Sequence, residues 1–170
     1  MSDELTDKIR KVFSDAAIVT FAKMTSVELT PAPVGASFGA PEYASSGAPD
    51  ATQYDLSAVV GFSGDLVGSC ALRLSAETAH AAINRLTGET IESPAELADG
   101  VGELVNMIAG NGKAALQGYA ISLAFPEVIR GKGHEIGFSR NTSVADIYFT
   151  SEIGNVKVVV AFSVPKNVSR

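Results

Sequence analysis

The chain has 170 residues, 46% hydrophobic and 19% charged, a composition that fits one globular domain with its own core and excludes a disordered polymer. Its formal net charge of -6 argues against nucleic acid and anionic membrane surfaces as main partners, because both are bound by clustered Lys and Arg. No apolar run approaches the roughly 18 residues of a membrane span, and the N-terminus lacks a signal-like segment, so we expect a cytoplasmic protein.

The first predicted element is an amphipathic helix over residues 3–24, where apolar residues such as Ile9 and Phe13 recur at a spacing of three or four. The stretch that follows, residues 30–52, is rich in Pro, Gly, Ala and Ser and predicts a long, flexible surface loop without an assigned role. A short strand near residues 27–29 stays open.

Residues 54–74 predict two strands joined at Ser63-Gly64-Asp65, a typical hairpin signal. The only cysteine, Cys70, lies in the second of these apolar strands. We therefore expect a buried, unreactive thiol, and neither an internal disulfide nor a zinc site built on cysteines.

Two helices are predicted next. Ser75 has the character of an N-cap for a helix to about residue 86, which Gly88 ends. Ser93, Pro94 and Glu96 form a strong helix start, and this longer helix is predicted to run to about residue 117.

The remaining predicted elements are strands. Residues 121–129 are strand-like, with Pro126 ending or kinking the pairing, and residues 144–164 predict a second hairpin that turns at Gly154-Asn155. A helix followed by a hairpin thus occurs twice. This order predicts a single α+β domain spanning residues 1–170, with two long helices packed on one face of a mostly antiparallel sheet.

The long helix carries a regular polar stripe. Asp99, Glu103, Asn106, Gly110 and Lys113 fall within a sector of about 80° when each residue advances the helix by 100°. The opposite side is apolar and is assigned to the core: Leu97, Val101, Leu104, Ile108 and Ala115. The stripe is therefore expected to face solvent or a partner.

Glycines weaken this helix, each by about 1 kcal/mol relative to Ala. Gly110 on the stripe and Gly102 beside it would leave room for another surface to approach Asn106. Gly112 leans toward the core side, where we expect close packing against the sheet. Gly100 has no comparable explanation from the sequence.

The stripe has three other interpretations: a solvated helix face, a metal site and a nucleotide-binding loop. The last two lack residues that such sites require. An outward polar stripe is also typical of a plainly solvated helix face. A metal site would need more ligands than Glu103 and Asn106, and the two histidines are distant in sequence. His80 is predicted to be a surface or boundary residue within a helix, and His134 is predicted to lie in a loop. The run "GNGKAA" lacks the first Gly and the final Ser or Thr of a nucleotide-binding P-loop.

The segment "DGVGELVNMIAGNGK", residues 99–113, resembles the signature helix of the CheC/CheX family of chemotaxis phosphatases. That motif is Asp or Ser, three residues, Glu, two residues and Asn, which here corresponds to Asp99, Glu103 and Asn106. Residues 59–89 and 123–133 are also similar to the family. The first helix lacks a second copy of the motif, so the chain resembles the CheX-type members that carry it once.

The resemblance implies a phosphatase that accelerates hydrolysis of the aspartyl phosphate of a CheY-like response regulator. It implies that Asn106 positions the attacking water and that Glu103 pairs with the regulator's active-site Lys. It also implies four further partner contacts: Asp99, Gly102, Gly110 and Lys113. Mg²⁺ is expected on the regulator, with no metal or cofactor bound by this chain, and a homodimer formed by pairing of sheet edges is expected.

One alternative function stays open beside the phosphatase. The same helix would also suit a non-catalytic adaptor that binds a response regulator or another signalling protein. The adaptor predicts a stable complex and an unchanged phosphate lifetime.

Overall fold

The computed structural model describes residues 3–33 and 54–166 of the chain. Three helices and seven strands occur there in chain order: α1 (Asp3–Thr25), β1 (Thr30–Pro31), β2 (Leu56–Gly64), β3 (Val67–Leu74), α2 (Ala76–Thr87), α3 (Pro94–Ala115), β4 (Ile121–Leu123), β5 (Glu127–Arg130), β6 (Ser143–Thr150) and β7 (Val156–Ser163). None of the helices in these residues has the length and apolar character needed to cross a membrane.

The strands form one antiparallel sheet in the order β1-β6-β7-β3-β2-β4, with β5 also paired to β2. The predicted α+β fold is confirmed. Both hairpins form at the expected turns, and Pro126 separates β4 from β5 as expected. Strand β7 is central, and both of its faces are buried because Val159 and Ala161 are covered as well as Val158 and Val160.

The helices pack on one face of the sheet. Alternate residues of the central strands join the hydrophobic core beneath them, such as Cys70 and Leu72 of β3 and Val158 and Val160 of β7. Helices α1 and α3 contact each other and the sheet, and the shorter α2 packs against both. The prediction of two long helices on one face is confirmed, with α2 added to the layer.

The predicted helix signals are present at the ends of α2 and α3. The Ser75 side chain accepts from the Thr78 N–H, the Ser93 side chain accepts from the Glu96 N–H, and Gly88 ends α2 with φ of 75°. Helix α3 stops at Ala115, before the predicted end. The assignment of Ala115 to the core is wrong, because Ala115 is exposed. The buried residue at this end is the cap residue Leu116, whose backbone is no longer helical, with φ of -83° and ψ of 66°.

Two glycines allow close approach between helices. A Cβ at Gly100 would lie 2.6 Å from Cγ2 of Ile83 on α2, and a Cβ at Gly112 would lie 2.7 Å from Cε1 of Phe13 on α1. Both distances are too short for a side chain. The sequence prediction for Gly112 had the correct side of the helix and the wrong partner, since the close neighbour is α1 and not the sheet.

The stretch predicted as a loop, residues 30–52, lies largely outside the described residues. Its first two residues correct the prediction, because Thr30 and Pro31 form β1 and pair with Thr150 and Phe149 of β6. The short strand left open near residues 27–29 thus occurs slightly later. Pro31 is accommodated because β1 lies at the end of the strand order, where a missing N–H breaks no further pairing.

Candidate functional site

The polar stripe of α3 lies on the surface. Asp99, Glu103, Asn106 and Lys113 are exposed and Gly110 is half-buried, while the opposite side of the helix supplies core residues. The predicted outward orientation of the stripe is confirmed. At 1.5 Å per residue the stripe is about 21 Å long, with Glu103 and Asn106 one turn apart near its middle.

One flank of the stripe is closed by the connection between β4 and β5. A Cβ at Gly102 would lie 3.6 Å from Cγ of Pro126 and 3.7 Å from Cγ2 of Val128, which is ordinary van der Waals distance. Gly102 is consequently buried by the chain itself. The expectation that Gly102 faces a partner is therefore wrong, since Pro126 already occupies the space above it.

The other flank of the stripe is formed by α1. The Asn111 side chain donates a hydrogen bond of 3.1 Å to the Thr20 hydroxyl, and Phe13 packs on Gly112. The C-terminal half of α3 is thus fixed to α1 from the side. Gly110 differs from its neighbours, because no described atom beyond its chain neighbours and the backbone of its own helix lies within 4 Å of where its Cβ would be.

Glu103 and Asn106 are not engaged by the described part of the chain. Across residues 3–33 and 54–166, no side chain or backbone group makes a hydrogen bond or ion pair with either side chain. In most folded proteins such groups interact with water. Here they are held on a helix whose opposite side is buried, so their backbone is fixed while their polar atoms stay available.

The chemistry of the pair is that of positioning. Asn carries one acceptor and two donors, so it can orient a water and at the same time donate to a phosphoryl oxygen, but it cannot take a proton near neutral pH. A carboxylate such as Glu103 can make a charged hydrogen bond with an ammonium or guanidinium group. Together they suit a reaction whose bond is already reactive and needs alignment.

The described part of the chain has neither a cluster of metal ligands nor a reactive thiol. No cluster of three or more His, Cys, Asp or Glu side chains there is arranged to hold a metal ion. Cys70 is fully buried, and desolvation raises the pKa of its thiol from 9.0 to about 12, so the prediction of a buried, weakly reactive thiol is confirmed.

Both histidines lie where the sequence predicted and away from the stripe. His80 is half-buried, with Nδ1 3.1 Å from the Ile91 carbonyl oxygen. His134 lies in the loop after β5, with Nε2 2.6 Å from the Ser57 hydroxyl, and its carbonyl oxygen accepts from Arg73. These contacts attach that loop to the sheet.

The sequence analysis missed Phe125, which is 94% exposed beside the stripe. Its surrounding run, "ISLAFPEVI", is strand-like up to Pro126, which predicts sheet pairing and not full exposure for the residue before the proline. The signal that could have revealed it is Pro126, because proline interrupts pairing and places the preceding residue at the break.

Comparison with solved structures shows the same fold in several chemotaxis proteins. CheX from Desulfovibrio desulfuricans matches with a TM-score of 0.74 and 29% identity over 92% of this chain and 99% of that chain. CheX from Vibrio vulnificus matches with a TM-score of 0.74 and 26% identity, covering 90% of this chain and 95% of that one.

A third structure shows the fold in a complex. The Borrelia burgdorferi CheX, solved with CheY, beryllofluoride and Mg²⁺, matches with a TM-score of 0.66 and 22% identity over 89% of this chain and 96% of that chain. Comparison with curated protein sequences gives no match.

The family model described as chemotaxis phosphatase CheX matches residues 56–150, a span that includes the whole of α3 and its polar stripe. This span is more than half of the chain. The chain belongs to the CheX family of chemotaxis phosphatases.

Proposed function

We propose that this protein accelerates hydrolysis of the aspartyl phosphate of a CheY-like response regulator, with Asn106 and Glu103 as the residues that act on the partner. The observation that carries the proposal is the exposed pair on α3, one turn apart and without partners in the described residues. The Borrelia CheX, which was solved with CheY, supports a regulator as the partner through its shared fold.

Asn106 would orient the attacking water. Its side-chain oxygen accepts a hydrogen bond from the water while its NH₂ donates to a phosphoryl oxygen, which aligns the water with the bond to be broken. The new bond joins the water oxygen to phosphorus, and the bond from phosphorus to the Asp oxygen breaks. The two protons of the water leave with the inorganic phosphate, and the Asp becomes a free carboxylate. The contribution of Asn106 is entropic, because it restricts the water to a productive position.

Glu103 would set the position of the regulator. A charged hydrogen bond to the regulator's active-site Lys fixes the register of docking and places Asn106 over the phosphoryl group. Mg²⁺ would be held by the regulator's acidic site and would neutralise phosphoryl charge. Asp99 and Lys113 would contact the partner at the two ends of the stripe, and Gly110 would admit it closely.

The proposed partner also indicates where in the cell this chain acts. A CheY-like regulator acts in the cytoplasm, so we place this chain there too. We further propose that it forms a homodimer through a sheet edge.

The decisive experiment times phosphate loss from phosphorylated CheY-like regulators of the same genome, with and without this protein. Wild type should shorten the lifetime, and Asn106→Ala should reduce the acceleration on the order of 100-fold, because the water is no longer aligned. The variant should fold normally, since Asn106 is exposed and makes no contact that stabilises the helix.

Asn111→Ala is the matched control. It removes the same side chain five residues further along α3, where the amide donates a hydrogen bond to the Thr20 hydroxyl, and it should keep its activity. Hydrolysis by Asn106→Ala at the wild-type rate would refute the mechanism. A complex that forms with no change in phosphate lifetime would instead support the adaptor function.

A further inference from the structure

Phe125 is the most exposed large hydrophobic residue in the described part of the chain. It is 94% exposed, whereas Val67 and Ile129 are each 44% exposed. Single apolar residues on a surface are normal, so exposure alone assigns no role. Two further properties distinguish Phe125: its backbone is fixed, and it lies beside the polar stripe.

The backbone around Phe125 is held from three directions. The Ala124 N–H donates to the Gly61 carbonyl oxygen over 2.8 Å, and Glu127 pairs with Val59 in the sheet. Pro126 packs over Gly102 of α3. The segment between β4 and β5 therefore presents the aromatic ring from a rigid support.

The contact between Pro126 and Gly102 of α3 indicates where the segment that carries Phe125 lies relative to Asn106. Gly102, which contacts Pro126, precedes Asn106 by one turn and lies about 40° around the helix axis from it. Asn111, which bonds to α1, lies about 140° from Asn106 in the other direction. Pro126, and with it the backbone of the adjoining Phe125, thus flanks the stripe on the Asn106 side, and α1 flanks it on the other.

We propose that Phe125 is an apolar anchor that docks on a hydrophobic patch at the rim of the response regulator's active site when Glu103 and Asn106 enter it. The inference rests on the proposed function, because it takes the same partner. A polar pair supplies orientation but little buried apolar area, and aromatic side chains are the usual source of that area at interfaces. A fixed backbone and only two side-chain torsions keep the ordering cost small.

The anchor predicts a separation between binding and chemistry. Phe125→Ala should raise the KM for phosphorylated regulator about 10-fold, the effect of losing one interface anchor, and leave kcat within about 2-fold. The Kd for the regulator loaded with beryllofluoride and Mg²⁺ should weaken by the same factor. Phe125→Leu should restore most of the affinity, because the patch recognises apolar area and not a hydrogen-bonding group.

Ile129→Ala is the matched control. Ile129 is an exposed apolar residue on β5, and it points to the opposite face of the sheet from Val128, which lies beside Gly102. Its KM and Kd should equal those of wild type. The anchor is overturned if Phe125→Ala keeps the wild-type KM and Kd, or if Ile129→Ala raises them equally.

The same measurements separate this inference from the proposed function. If wild type accelerates hydrolysis and Phe125→Ala binds as wild type does, the anchor role of Phe125 is refuted and the phosphatase function is not. If wild type binds the loaded regulator through Phe125 but leaves the lifetime of the phosphorylated regulator unchanged, the phosphatase function is refuted and the anchor role is supported. If wild type does not bind the loaded regulator, both fail.

Discussion

At the scale of single residues, Glu103 carries an exposed charge that the described side chains leave unpaired. Glu103→Gln keeps the shape of the side chain and removes the charge. A hydrogen bond to a charged group contributes about 1.5–3 kcal/mol, so the substitution should lower kcat/KM by roughly 10- to 100-fold. Steady-state phosphate release at low ionic strength measures the effect.

Salt provides a second test of Glu103. The KM of wild type should rise with ionic strength, and that of Glu103→Gln should respond less, because screening acts on the charge that was removed. Asp99→Asn is the control: it lies one turn away at the edge of the stripe and should lower kcat/KM by less than about 3-fold. Equal losses in the two variants would mean that Glu103 contributes only general negative charge.

Individual residue roles were predictable from sequence only where the helix itself decides them. The exposure of Asp99, Glu103 and Asn106 follows from helical spacing, and the structure agrees. The burial of Gly102 does not, because its cover, Pro126, is distant in sequence and arrives through strand pairing. The partners of the stripe belong to another molecule, so spacing indicates an available surface and leaves its function to be tested.

At the scale of the element, the glycines of α3 divide into two kinds. Gly100 and Gly112 are required by neighbouring helices, whereas Gly102 and Gly110 have room for a Cβ. Each of the latter weakens the helix by about 1 kcal/mol relative to Ala. At Gly110 this loss of helix stability is not offset by a close contact with the described residues. A partner that approaches at Gly110 would explain it.

Substituting these two glycines separately tests that interpretation. Gly110→Ala and Gly102→Ala should each raise the free energy of unfolding by up to about 1 kcal/mol, measured by urea denaturation. Gly110→Ala should nevertheless lose activity toward phosphorylated regulator, because the added methyl lies on the partner's path. Gly102→Ala should keep it, since the methyl would be covered by Pro126. Full activity in Gly110→Ala would show that the partner does not approach at that point.

Element boundaries were predictable from caps and turns, and packing was not. Ser75, Gly88 and Ser93 mark helix ends through local hydrogen bonds, which the sequence alone indicates. The end of α3 was predicted too late because the tertiary position of Leu116 decides it. The central place of β7 could not be chosen either, since a strand that is apolar on both faces fits a central or a covered-edge position equally.

At the scale of the whole molecule, the described residues leave the first part of β6 without a neighbouring strand on its outer side. Among the described residues, β1 pairs only with Phe149 and Thr150 of β6, and β6 begins at Ser143. The carbonyl groups of Asp146 and Tyr148 point outward from the sheet, toward Arg10 and Ala32, and alternation places the N–H of Val144 on the same side. An edge of this kind can pair with a second copy of the chain.

The expected homodimer can be tested through that edge. Light scattering should give about twice the chain mass of 17.6 kDa. Val144→Pro removes an outward N–H, which blocks edge pairing but breaks no bond to β7, so this variant should be a folded monomer. Val144→Ala, which keeps the N–H, should remain dimeric. A wild-type monomer at every concentration would refute the dimer, and a Val144→Pro dimer would place the contact away from β6. Because α3 packs on the sheet face and not at this edge, the monomeric variant should still hydrolyse regulator phosphate.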